Sequence, residues 1–215
     1  MEHESRQISK DEFRRFEGLY ERNRGKLEEY ASILLWWNKK INLVSRDVSR
    51  ETILLHIKHS LYVSLSDGFV EANHVIDTGA GGGLPSIPLA LCFPEKTFVV
   101  NDIVVKKVFA VNDIINKLGL AKRARGLASD IRLVDIPEQS VIITKHAFKL
   151  DQLFGLSEEK PWKKIVFLKG SEEAVSEWVG IKDKVEMSLV KLDPSFMGPF
   201  YDGKGVVEIS RRASE

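Results

Sequence analysis

A chain of 215 residues with 43% apolar and 29% charged content is sized for one domain plus an elaboration, and no apolar run in it is long enough to cross a bilayer. With 32 Lys and Arg against 31 Asp and Glu the net charge is +1, so a nucleic-acid surface has to be a local patch rather than a global field. Cys92 is the only cysteine, which excludes an internal disulfide and a thiolate metal cluster, and residues 1–6 lack the apolar core of a secretory signal, so the expected address is cytoplasmic.

Ser9 and Glu12 have the spacing of a capping box, and Phe13, Phe16, Tyr20, Leu27, Tyr30, Ile33 and Leu34 follow at near-helical intervals. The chain therefore opens with a helical segment, which Gly25 is expected to break in two. Trp36, Trp37, Asn38, Lys39 and Lys40 lead out into a polar connection, and a second helix is predicted over 49–65, with Ile53, Ile57 and Leu61 on one face. From residue 74 short β-rich runs alternate with helical ones, the pattern of a parallel sheet with crossover helices. Strands are expected near 74–78, 97–102, 122–126, 140–144 and 164–168, and helices near 85–92, 104–118, 150–156 and 170–178. Two closing strands, 185–192 and 206–210, flank a loop containing Pro194, Gly198 and Pro199. Residues 1–70 then form a helical extension packed on a core of residues 71–215.

The run Val75-Ile76-Asp77-Thr78-Gly79-Ala80-Gly81-Gly82-Gly83-Leu84-Pro85 carries the most chemical information: a short apolar strand enters four glycines and then a helix start. Glycine accepts positive φ and lets a ligand approach the main chain. A dinucleotide fingerprint beginning at Gly79 needs its third glycine at position 84, which is Leu84. The Asp-x-Gly-x-Gly-x-Gly pattern instead resembles the first motif of S-adenosylmethionine (SAM) dependent methyltransferases. Asp102 ends the next strand about 20 residues on, where an acidic side chain meets ribose hydroxyls of either cofactor. Asp77 reads as an anchor for the glycine loop, or as a ligand contact that a sulfonium or ammonium would favour.

Basic residues cluster in two stretches. Lys106, Lys107, Lys117, Lys122, Arg123 and Arg125 are opposed within their stretch only by Asp113, and Lys145, Lys149, Lys160, Lys163, Lys164 and Lys169 are partly offset by Asp151, Glu158 and Glu159. Both are compatible with a solvated helix face or with an RNA surface. His56 and His59 share a helix face, yet His3, His74 and His146 do not complete a ligand set, so no metal is expected.

Five segments then occur together in one order and spacing: Trp37-Asn38-Lys39-Lys40-Ile41-Asn42-Leu43, Asp77-Thr78-Gly79-Ala80-Gly81-Gly82-Gly83-Leu84-Pro85-Ser86-Ile87-Pro88, Asp102-Ile103-Val104-Val105-Lys106-Lys107, Leu118-Gly119-Leu120 and Leu168-Lys169-Gly170. From about residue 13 to 210 the chain resembles the bacterial small-subunit (16S) ribosomal RNA guanine-N7 methyltransferases, also called glucose-inhibited division protein B. The resemblance implies an α/β, Rossmann-like class I SAM-dependent methyltransferase fold, a mostly parallel seven-stranded sheet with an N-terminal helical extension. It implies SAM as cofactor, 16S rRNA or the small ribosomal subunit as partner, no membrane, no metal, and a monomer. Carried over, it places Asp77, Gly79, Gly81, Gly83, Leu84, Asp102, Ile103, Ala128, Ser129 and His146 at the cofactor. Lys39, Arg46, Lys106, Lys107, Lys145, Phe148 and Lys169 are placed toward RNA, with Trp36 and Trp37 as further stacking candidates.

Departures from the family pattern matter as much. Ser129 stands where the family has Glu, and Lys145-His146-Ala147-Phe148 replaces Ser-Arg-Ala-Phe, so His146 is the candidate catalytic residue at an arginine position. His56-Ile57-Lys58-His59-Ser60-Leu61 matches His-x-x-Asp-Ser-Leu with His59 for the acid, and Ser86 replaces a glycine. Guanine N7 carries an in-plane lone pair and no proton, so its methylation needs positioning rather than a general base. Alternative readings are a catalytically lapsed RNA-binding or regulatory module, and an NAD-dependent oxidoreductase, which Leu84 disfavours. On the leading reading, His146→Arg preserves or raises activity.

Overall fold

The computed structural model describes residues 3–212. Its strands, β1 (Glu4–Gln7), β2 (His74–Thr78), β3 (Thr97–Asp102), β4 (Ala124–Ala128), β5 (Val141–Lys145), β6 (Lys164–Gly170), β7 (Val185–Lys191) and β8 (Lys204–Arg211), form one sheet ordered β1-β7-β8-β6-β5-β2-β3-β4. All pairings are parallel except those of β8 with β6 and β7. The helices are α1 (Lys10–Asn38), α2 (Arg50–Leu61), α3 (Asp67–Glu71), α4 (Ser86–Cys92), α5 (Val105–Lys117), α6 (Leu150–Ser157), α7 (Ser171–Trp178) and α8 (Pro194–Met197).

The sheet has eight strands rather than seven. The added one, β1, is Glu-Ser-Arg-Gln, fully exposed and without an apolar alternation; it joins the edge through main-chain pairing with β7, Glu4 opposite Ser188. A polar edge strand of this kind leaves no period-two signal to read. Gly25 does not interrupt α1, which runs unbroken for 29 residues. A solvent-facing glycine costs a helix about 1 kcal/mol, and burying Phe16, Tyr20, Leu27, Tyr30 and Leu34 along one face outweighs that. The capping box forms as read: the Glu12 amide donates to Ser9 Oγ at 3.2 Å and the Ser9 amide to Glu12 Oε2 at 2.8 Å. The second helix ends at Leu61 and tightens into a 3-10 turn over Tyr62–Leu65, while β4 starts two residues later than expected because the amides of Arg123 and Ala124 fold back onto the Leu120 carbonyl.

Successive β2 and β5 side chains divide between the two faces. Val75, Val141 and Ile143 join Leu27, Tyr30, Leu34, Ile53, Ile57 and Ile87 under α1, α2 and α4, whereas Ile76 and Ile142 join Phe154, Trp162, Phe167 and Trp178 under α6 and α7. Each fully buried aliphatic side chain contributes roughly 1.5–3 kcal/mol, so the helical extension is integral to one of the two apolar layers.

Candidate active site

The chain runs outward from β2 through β3 to β4 and then returns to the other side of β2 as β5, so the order reverses between β2 and β5. Open α/β sheets bind ligands at the carboxyl ends of the strands at such a point. Two loops meet here, the glycine loop after β2 and the turn 145–148 after β5. They line a cleft of about 280 Å³ together with Leu43, Val44, Ser45, Val48, His56, Leu84 and Lys107. A hollow of similar size, about 290 Å³, opens at the opposite strand ends beside His74, Thr97 and Lys122, away from both loops.

Gly79, Gly81 and Gly83 have φ of 71°, 54° and 93°, where an L side chain is strained. Space imposes the same choice: a Cβ on Gly79 would stand 2.5 Å from the Ala147 Cβ, and one on Gly82 would stand 2.4 Å from Leu34 Cδ1. The loop is thus clamped between the β5 turn and α1. Tyr30 donates to the Gly82 carbonyl at 3.0 Å from the α1 side. Asn38 carries the segment above it, accepting from the Leu43 and Val44 amides at 2.9 Å each and donating to the Ser45 carbonyl at 3.0 Å. Asp77 is fully buried behind the loop, where Oδ2 accepts from the Ser86 amide at 3.1 Å and Oδ1 has no partner. Burial pushes its carboxyl up to about 7, partly opposed by the Ser86 hydrogen bond.

Asp102 accepts from the Gly81 amide at 3.0 Å and from the Val104 amide at 2.9 Å, and Lys107 Nζ lies 3.8 Å away. A carboxylate offers about four lone-pair positions, so these bonds hold it in place and still leave acceptor capacity for vicinal hydroxyls. Ile103 is 72% exposed beside it, a branched apolar side chain next to the held carboxylate. Ala128 is the cross-strand partner of Asp102, and the Ser129 amide donates to the Asp102 carbonyl at 3.3 Å while the Ser129 hydroxyl turns to the Asp130 carbonyl. The nucleoside-side candidates therefore sit side by side along the tops of β2, β3 and β4. An open main-chain cradle, a held carboxylate and an exposed apolar rim fit an adenosine-containing cofactor such as SAM.

Cationic and imidazole groups gather on the β5 side. Lys145 Nζ lies 2.7 Å from His56 Nδ1. Burial and the nearby Lys204 lower Lys145 to about 7, and burial with the Lys145 charge lowers His56 to about 3, so Lys145 donates and neutral His56 accepts. His146 adopts φ of 54°, unusual for a non-glycine residue, and its amide donates to the Leu168 carbonyl at 3.2 Å. Its ring lies 6.2 Å from that of His59, which is fully buried with neither nitrogen hydrogen-bonded and whose pKa is held well below the ordinary value, first by burial and then by Lys145 and His146. His59 and His146 thus lie near each other on the β5 side of the cleft.

Lys39, Arg46 and Lys106 are exposed, and Phe148 is half-buried with its ring against Gly79. Lys169 is not available at the surface: its side chain is buried, with Nζ 3.4 Å from Glu173 and hydrogen-bonded to Glu177, because β6 carries it beneath α7. Trp36 is 46% exposed, with Lys40 Nζ 3.7 Å and Lys117 Nζ 4.8 Å from its ring centroid; Trp37 instead packs against Phe109 and donates to Asp113 at 2.7 Å. Sequence reading missed Tyr30, Asn38, His56 and Asn101 as organisers. Asn101 accepts from the Thr78 hydroxyl and donates to the Leu127 and Ser129 carbonyls, tying the carboxyl ends of β2, β3 and β4 together. For His56 the sequence offered two signals, the i, i+3 histidines on α2 and the match of residues 56–61 to the family's His-x-x-Asp-Ser-Leu, but neither pointed to Lys145 as its partner.

The family profile described as rRNA small subunit methyltransferase G matches residues 23–197. Ribosomal RNA small subunit methyltransferase G of Chlorobium luteolum is 45% identical over 106 residues, 49% of this chain and 44% of that protein. The protein of the same name from Flavobacterium johnsoniae is 31% identical over 179 residues, 80% of this chain and 84% of that one. The chain thus spans less than half of the first relative's length and most of the second's. A crystal structure of an O-methyltransferase from Bacillus cereus in complex with SAH superposes with a TM-score of 0.56 at 17% identity, covering 87% of this chain and 91% of that one. The shared feature is the class I SAM-methyltransferase fold.

Proposed function

The chain belongs to the rRNA small subunit methyltransferase G family, and on that premise we propose that it is a SAM-dependent methyltransferase acting on N7 of a guanine in 16S rRNA. One observation carries the reading: at the β2/β5 reversal a glycine loop in left-handed backbone conformations faces the β5 turn across one cleft, and the Gly81 amide of that loop holds the strand-end acid Asp102 beside it. SAM, when bound, supplies an electrophilic methyl on a sulfonium. Gly79, Gly81, Gly83 and Leu84 would carry its methionine portion, Asp102 its ribose, and Ile103, Ala128 and Ser129 its adenine edge. Asp77 acts from behind, holding the first turn of α4 against the glycine loop.

No residue has to remove a proton from N7, so the protein's part is alignment and exclusion of water. His146, the candidate catalytic residue, lines the cleft, and Phe148, whose ring lies against Gly79 in the same turn, would be the aromatic surface on which a splayed base stacks. Lys107 and Lys145 line the cleft, and the exposed Lys39, Arg46 and Lys106 would supply further phosphate contacts; Trp36, flanked by Lys40 and Lys117, would extend the surface along α1 and α5. Residues 1–70 act as an extension of the 71–215 core, and the protein works as a cytoplasmic monomer. No described helix is long and apolar enough to cross a membrane, and no group of three or more described His, Cys, Asp or Glu residues is placed to hold a metal ion.

The test is tritiated methyl transfer from SAM to small-subunit particles lacking the modification, paired with calorimetry of SAM binding. Label at a guanine N7 supports the proposal. SAM binding without transfer moves the protein to a lapsed, RNA-binding role, and no SAM binding removes the cofactor assignment.

A further inference from the structure

We propose that Lys145, steadied by His56, is the side chain that distinguishes the target purine, donating a hydrogen bond to the carbonyl oxygen next to the attacked nitrogen. The inference rests on the guanine-N7 reading and adds to it a recognition residue. Lys145 is the last residue of β5 and lines the same cleft as Gly79, Gly81 and Gly82. Of the lysines nearby, Lys204 does not line this cleft, and Lys107 lines it with Nζ 3.8 Å from Asp102, on the β3 side. The Lys145 nitrogen has one protein partner, His56 Nδ1 at 2.7 Å, so the remaining N–H is free to meet a ligand. His56 is itself fixed on α2, its ring edge-on to Phe200 at 5.1 Å.

Guanine presents N7 and O6 as adjacent acceptors on one edge, whereas adenine presents N7 beside an amino donor. A donor fixed beside the N7 position satisfies O6 and leaves an adenine amino group opposed by another donor. Burial and Lys204 bring Lys145 down to about 7, so near neutrality much of it is an uncharged amine. It can then donate without placing a full second positive charge beside the sulfonium. The alternative occupant for a free lysine N–H in this cleft is the carboxylate of the cofactor's methionine, and the experiment separates the two.

The methylated position is first mapped with wild-type protein, and small-subunit RNA is then ligated with guanosine, 7-deazaguanosine or 2-aminopurine, which lacks the C6 oxygen, at that position. Wild type is expected to lose about 10- to 100-fold in kcat/KM on 2-aminopurine. Lys145→Met is expected to lose a similar factor on guanosine and little more on 2-aminopurine, with SAM affinity within twofold of wild type; that affinity also reports that the variant is folded. His56→Gln, which keeps an acceptor, should retain the discrimination, and His56→Leu should reduce it. A Lys145→Met protein that still prefers guanosine by the wild-type factor, or that loses SAM affinity tenfold, overturns the inference. Transfer to 7-deazaguanosine, or no transfer by wild type to any RNA, sinks the guanine-N7 reading and the inference with it; loss on 7-deazaguanosine with no Lys145 effect sinks the inference alone.

Discussion

The loops after β2 and β5 face each other across one cleft and are built on opposite principles. The β2 loop is made of main chain: its glycines take backbone angles that side chains resist, and its contacts are amides and carbonyls. The β5 turn is made of side chains, with Lys145, His146, His56 and His59 setting its charge and shape. On the sequence resemblance, the first follows the family pattern and the second departs from it. A main-chain site leaves few substitutions open, whereas a side-chain site can be rebuilt by exchanging partners together.

Gly79→Ala strikes the main-chain loop hardest, because the new Cβ meets Ala147 at 2.5 Å in a left-handed conformation. SAM affinity measured by calorimetry is expected to fall by roughly 100-fold or more; an unchanged affinity would mean that the cofactor does not use this loop. Asp102→Ala comes next, since it removes the acceptor for the Gly81 and Val104 amides, and SAM should bind roughly 10- to 100-fold more weakly.

The side-chain loop is probed by acid. His56 at about 3, His146 at about 4 and His59 well below its ordinary 6.5 all bind protons less readily folded than unfolded, so their contribution is present above pH 6.5 and lost on acidification toward 4. Asp77 works the other way, its raised carboxyl favouring the folded state as pH falls from about 7 toward 3.8. Three imidazoles against one carboxyl predict a falling melting temperature between pH 6.5 and 4, flattened in His59→Leu. A wild-type profile with no slope there would show that the imidazoles are hydrated.

The smallest effect concerns the exchanged pair. His146→Arg sets a permanent charge near His59, Lys145 and Lys204, with Glu173 as the acid acting on this position, so the single change is expected to lower methyl transfer several-fold rather than preserve it. Adding His59→Asp should recover it. If the two changes simply add, the residues are independent and the turn was not rebuilt as a unit.

The same contrast explains what could be read from residues alone. The glycine spacing and the acid about 20 residues later are local and regular, so the β2–β3 half of the site was legible. The pairing of Lys145 with His56 joins residues 89 apart, and the meeting of His59 with His146 is equally non-local, so the sequence displayed each departure without the partner that explains it. Lys169 read as a surface cation because its partners Glu173 and Glu177 lie on the following helix and reach back over β6. Strand β1 escaped notice since its four polar side chains are all exposed.

Asn38 makes the roof of the cleft a continuation of α1, since the Leu43 and Val44 amides and the Ser45 carbonyl all hang from one side chain. Fraying of the end of that helix and loosening of the ligand's cover are therefore one equilibrium seen from two places, and linkage makes the effect reciprocal. A ligand held in the cleft at 100 times its Kd suppresses the open form by about 2.7 kcal/mol, which hydrogen exchange would register as about 100-fold slower exchange at the Leu43 and Val44 amides.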